Sequence, residues 1–122
     1  SQMLYHCNTF INVSLGKRKI NLIIRTISRP FFRFIFLKYL NSINFDINKF
    51  AQNSPTLTIF KSFPITIDFD FEKNKLIENL KKIEEINTEK IHHQMYGTIP
   101  TSTLKKLVSF HTSYHLNQFN LL

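Results

Sequence analysis

A single cysteine, Cys7, and no tryptophan occur among the 122 residues. One thiol permits neither an intrachain disulfide nor a Cys-rich zinc site, and it suits a reducing compartment, so a cytoplasmic location is expected. Glycine and proline are scarce as well, two and four residues. Their scarcity excludes collagen-like and low-complexity sequence, and with 43% hydrophobic residues it argues for a packed core rather than disorder. No uncharged apolar run reaches the roughly 18 residues of a membrane span, because Arg25, Arg29, Arg33 and Lys38 interrupt the most apolar stretch. The opening residues also lack a basic segment followed by an apolar one, so neither a span nor a secretory signal is expected. The length suits one domain, 1–122.

Acidic residues are absent from the first third of the chain, the earliest being Asp46. Seven basic side chains precede it: Lys17, Arg18, Lys19, Arg25, Arg29, Arg33 and Lys38. The net charge of +8 therefore belongs almost entirely to residues 17–38, a concentration that would suit nucleic acid or an anionic membrane. Arg25, Arg29 and Arg33 recur every four residues and on a helix form one basic stripe. Beside it lies an apolar body of Ile24, Ile27, Phe31, Phe32, Ile35 and Phe36. The ordinary meaning of such a stripe is the solvated face of a packed helix. Neighbouring Phe side chains there point in different directions, so several belong to a core rather than to base-stacking platforms, and no specific nucleic acid is expected.

Helical periodicity dominates the chain. Met3, His6, Cys7, Phe10 and Val13 recur at three- and four-residue steps, predicting a helix over 2–15 that ends at Gly16. Residues 18–28 and 30–41 also read as helical, with a break near Ser28 to Pro30, since the proline ring disturbs a helix interior. Asn, Ser and Pro accumulate over 41–64, a long irregular connection in which Leu57 to Phe60 reads as extended. Residues 68–86 form the clearest amphipathic helix, with Phe71, Leu76, Leu80, Ile83 and Ile86 facing inward and a Glu78–Lys82 pair outside. After a connector over 87–100, a last helix runs to about Phe119. The fold class expected is all-α, a helical bundle.

The histidines carry the chemistry. His111 and His115 are four residues apart, so on a helix they lie about 40° apart on one face and can present two imidazoles to one ion. Leu104, Leu107, Val108 and Leu122 share that stripe, which turns the pair into the bundle, where neutral imidazole suits zinc, nickel or iron. An H-x-x-x-H pair alone is a weak pattern and needs a third ligand. His6 sits between Met3 and Phe10 on the apolar stripe of the first helix, where a lone histidine is more often a satisfied core residue. Opposite the pair it would complete a set of three neutral ligands, leaving a divalent ion open positions for water or substrate. Cys7 lies about 100° round the helix from His6 and is expected to pack rather than ligate.

Three blocks in order, Gln2-Met3-Leu4-Tyr5-His6, His93-Gln94-Met95-Tyr96-Gly97 and His111 through His115-Leu116-Asn117-Gln118-Phe119, are spread over essentially the whole chain. Together they resemble the DinB/YfiT-like superfamily of metal-binding helical proteins, a branch without an assigned reaction whose blocks read Q-M-L-x-H, H-P-x-F-G and H-x-x-x-H-L-x-Q-F. The resemblance implies a four-helix bundle with a divalent metal held by His6, His111 and His115. It also implies a thiol-dependent transferase or a hydrolase acting on a small molecule, with a low-molecular-weight thiol as co-substrate. His93 and Tyr96, approaching the last helix from the connector, are candidates for substrate contact, and no general base is assigned. The chain begins almost at the first block, so the family's first helix is expected to be missing. The apolar face thereby uncovered would favour a homodimer. Gln94 stands where the family has proline. The alternatives are a basic helical module for nucleic acid or anionic membrane, and an inactive truncated relative.

Overall fold

The computed structural model describes residues 2–50, 64 and 66–118. Helix α1 spans Gln2–Ser14, and a second rod runs without interruption through α2 (Leu22–Pro30), a π-helical stretch (Phe31–Phe36) and α3 (Leu37–Ser42). A 3-10 turn at Ile47–Lys49, helix α4 (Phe69–Glu84), strands β1 (Lys90–His93) and β2 (Gly97–Pro100), and helix α5 (Thr101–Gln118) complete the order. The described residues are mostly helical, compatible with the all-α class expected, and carry one small two-stranded sheet. β1 and β2 pair antiparallel, with Ile91 opposite Ile99 and His93 opposite Gly97, where only a connector was expected. Leu57 to Phe60, Phe119 and Leu122 lie outside the described residues.

Helix α1 is the central element and packs against both α4 and α5. Leu4, Cys7, Phe10, Ile11 and Val13 are buried along it, together with Leu76 and Ile83 of α4 and Leu104, Leu107 and Val108 of α5. It ends as its glycine predicts: Gly16 takes φ +75, the Lys17 amide reaches back to the Asn12 carbonyl, and the Gly16 amide to that of Val13. These two bonds satisfy carbonyls that the helix end would otherwise orphan. Downstream of α3, Phe50 packs edge-on against Phe110 and Tyr114 at 4.9 and 5.0 Å, covering α5 with an aromatic cluster.

Of the residues expected to face inward on α4, Leu76 and Ile83 are buried and Leu80 and Ile86 are half-buried against the core. Phe71 is exposed, and the inward stripe is Glu72, Leu76, Asn79 and Ile83. The polar members are buried because they have partners on α1: the Asn8 amide donates to the Glu72 carboxylate at 2.7 Å and to its carbonyl at 2.9 Å, and the Asn79 amide donates to Asn8 Oδ1 at 3.0 Å. Burial of such groups is tolerable only with such pairing. The Glu78–Lys82 pair forms on the outer side at 3.0 Å.

The second rod also corrects two expectations. There is no break at Pro30. The helix loosens instead into five-residue hydrogen bonding, as in the Leu37 amide to the Phe32 carbonyl, which accommodates the missing proline N–H without interrupting the rod. Moreover, the arginine stripe is not the solvated face. Arg33 Nη1 donates to the Tyr96 and Thr98 carbonyls at 2.8 and 2.9 Å, and Arg29 Nη2 donates to the Gln94 carbonyl at 3.1 Å. The guanidinium groups clamp the hairpin turn, and the aliphatic side of α2 faces water, with Ile27 73% and Ile23 69% exposed.

Candidate metal centre

Helices α1 and α5 pack side by side, and their histidines meet at the contact. The rings of His6, His111 and His115 form a nearly equilateral triangle with centroids 4.9, 4.5 and 4.7 Å apart. One nitrogen from each lies within 4.8 Å of the other two. The tightest pair is His6 Nε2 and His111 Nε2 at 3.1 Å. Two ligands on a tetrahedral zinc, each bonded at about 2.0–2.1 Å, are roughly 3.3 Å apart, so this pair already stands at bonding separation.

The protonation states suit cation binding. Burial, reinforced by the neighbouring His115 and His6, holds His111 well below the ordinary imidazole range. Burial and His6 lower His115 to about 4 against a hydrogen bond that opposes them. Both rings are therefore neutral near pH 7, with lone pairs available. His111 Nδ1 is buried and finds no hydrogen-bond partner. Three imidazoles, two of them neutral, with one buried nitrogen unpartnered and two nitrogens at ligand spacing, lie close enough to hold a metal ion.

Two contacts orient the rings. Phe10, one turn after His6 on α1, stacks on His111 with centroids 4.2 Å apart and planes 23° from parallel. His115 Nδ1 lies 2.8 Å from Gln118 Oε1. Because an amide oxygen only accepts, Nδ1 must carry the proton, which leaves the Nε2 lone pair for a metal. Gln118 belongs to the closing sequence block, which by itself assigns it no role. Its signal is the three-residue step from His115, which places it on the next turn of the same face.

The other candidates occupy a different part of the molecule. His93, closing β1, is fully buried. Its Nδ1 accepts from the Met95 amide at 3.0 Å, so Nε2 holds the proton and donates to Ser14 Oγ at 2.8 Å; that hydroxyl in turn donates to the Phe10 carbonyl at 2.9 Å. Burial pushes its pKa down to about 3, aided by His92 and Arg29. Tyr96 is buried with its hydroxyl pKa raised, and its ring meets His93 and Phe32 edge-on. Phe10 touches both His93 and His111, so it links this pinned hairpin to the triad. Cys7 packs as expected: it is fully buried, and burial raises its thiol to about 12.

Gln94, where the resembled family has proline, satisfies three backbone groups at once. Its amide donates to the Val13 and Arg18 carbonyls at 2.9 and 2.8 Å, and its oxygen accepts from the Ile20 amide at 2.8 Å. The hairpin turn is thereby stapled to the segment leaving α1. Compared with models of known protein families, with curated proteins and with solved structures, the chain matches none of them.

Proposed function

We propose that this chain is a metal-dependent enzyme of the DinB/YfiT-like kind, in which His6, His111 and His115 hold a divalent ion and the reaction is a thiol-dependent transfer or a hydrolysis on a small molecule. The observation that carries the reading is the convergence of three imidazoles from opposite ends of the sequence, one nitrogen of each within 4.8 Å of the others. Bound there, an ion would supply Lewis acidity that makes a thiol or a water nucleophilic near neutral pH. The chain's own groups have defined tasks. Phe10 fixes the plane of His111, Gln118 fixes the tautomer of His115, and the surrounding side chains exclude enough water to keep both imidazoles unprotonated. Cys7 is no candidate for the thiol, because its proton is held too tightly. His93 and Tyr96 enter as positioning residues that hold the hairpin against α1.

Metal analysis of untagged protein tests this reading. The parent binds one equivalent of divalent ion, and the His111→Ala/His115→Ala variant loses it while keeping its helical content. A parent without affinity for zinc, nickel or iron, or a variant that binds as well as the parent, overturns the reading.

A further inference from the structure

We propose that the outward face of α2 docks on an anionic lipid bilayer, with the helix lying in the plane of the membrane surface. This goes beyond the metal reading and does not depend on it. Ile23, Ile27, Pro30 and Phe34 follow one another at steps of four, three and four residues, so they form one stripe along the rod. All four face water, Phe34 at 66%, with exposed Leu22, Ile24 and Ile35 alongside. The opposite side holds Arg29 and Arg33, engaged with hairpin carbonyls. A helix whose partner is water packs the other way round. Here the fold uses the polar face for itself and presents the apolar one.

Charge identifies the occupant. Lys19 stands exposed before the stripe and Lys38 after it, and no acidic residue precedes Asp46. A second copy docking through the same face would bring this cationic rim against its own duplicate, which disfavours a homodimer there. A nucleic acid offers phosphates but little hydrocarbon for the isoleucines, and the central arginines are already committed to the hairpin. Anionic lipid supplies both complements, headgroup charge at the rim and acyl chains under the stripe. The helix segregates its apolar side chains sharply while its average hydropathy stays low, as interfacial helices do. Among the described residues no helix is long and apolar enough to cross a membrane, so contact is confined to the surface.

Flotation of the full chain with phosphatidylcholine vesicles, with and without phosphatidylglycerol, tests the proposal. The parent floats with the anionic vesicles and scarcely with the neutral ones. The Ile23→Ser/Ile27→Ser/Phe34→Ser variant, altered only at side chains already facing water, stays at the bottom. Lys19→Ser and Lys38→Ser each weaken binding by about fivefold. Because the chain has no tryptophan, Ile27→Trp adds a unique fluorophore to an otherwise intact face, and its emission shifts to the blue when anionic vesicles are added. Absence of that shift, flotation of the triple variant equal to the parent's, binding of duplex DNA without binding of vesicles, or a dimer that the triple variant dissolves without any flotation of the parent would each overturn the proposal.

Discussion

His6 Nε2 and His111 Nε2 lie 3.1 Å apart although 105 residues separate them in the chain. Two imidazole nitrogens at that distance share one proton or one cation. When they share a proton, one ring donates to the other and the site is occupied by its own hydrogen bond. Metal binding at both nitrogens requires the donor ring to carry its proton on Nδ1 instead of Nε2, a change of tautomer with no net release of a proton.

Gln118 tests the tautomer argument. Replacement by leucine removes the acceptor of the His115 Nδ1 proton and should weaken metal binding by about 10–100-fold. Gln118 is exposed, so the metal-free protein should change in stability by no more than about 0.5 kcal/mol. Isothermal titration with zinc and urea unfolding of the metal-free variant measure the two effects separately.

His93 makes stability fall in acid. Above its ordinary pKa of 6.5 the ring is neutral in the folded and the unfolded chain alike, and its burial contributes in full. As pH drops from 6.5 toward 3, the unfolded chain takes up a proton that the folded chain refuses. Each pH unit in that window costs about 1.4 kcal/mol. His111 and His115 act with the same sign. A plot of urea unfolding free energy against pH for the metal-free protein shows the fall, and His93→Phe should reduce its slope by about one proton.

Gly97 is constrained twice. Its φ of +75 disfavours any side chain, and a Cβ there would stand 3.0 Å from Arg33 Nη1. The backbone effect alone makes Gly97→Ala cost about 1–2 kcal/mol. In an Arg33→Ala background the steric part disappears and the backbone part remains, so the double-mutant cycle should give a coupling between the two sites. Additive effects in thermal unfolding would show that the arginine simply moves aside.

Cys7 should resist modification. Its thiol is buried and raised to about 12, so a thiol reagent at pH 8 should label it only as fast as the protein opens. Rapid labelling under native conditions would show that α1 is not held against α4 and α5.

Much of this was legible in the residues. The four-residue spacing of His111 and His115 and the place of His6 on the apolar stripe of α1 specify which faces meet once helices pack, and Gly16 marks where α1 ends. Hydropathy could not show that α2 turns its arginines inward. Segregated faces look the same whichever one meets the protein, and the choice depends on the free carbonyls of a hairpin some 63–65 residues away. The hairpin leaves no signature in the sequence, because its strands are only four residues long, too short for an alternating pattern. Nothing in the local sequence marks Glu72 and Asn79 as buried, because their shared partner, Asn8, is 64 and 71 residues distant.

That shared partner has a geometric consequence. If α4 slid along α1 by one turn, about 5.4 Å, Leu76 would take the place of Glu72 and Ile83 that of Asn79. Hydrocarbon would still face hydrocarbon, so greasy packing alone would scarcely resist the slip. Asn8 would be left among methyl groups, with each stranded amide or carboxylate costing about 1–3 kcal/mol. The pair of helices therefore has a single axial setting, keyed by one asparagine one turn away from Leu4 and two residues beyond the first histidine of the triad.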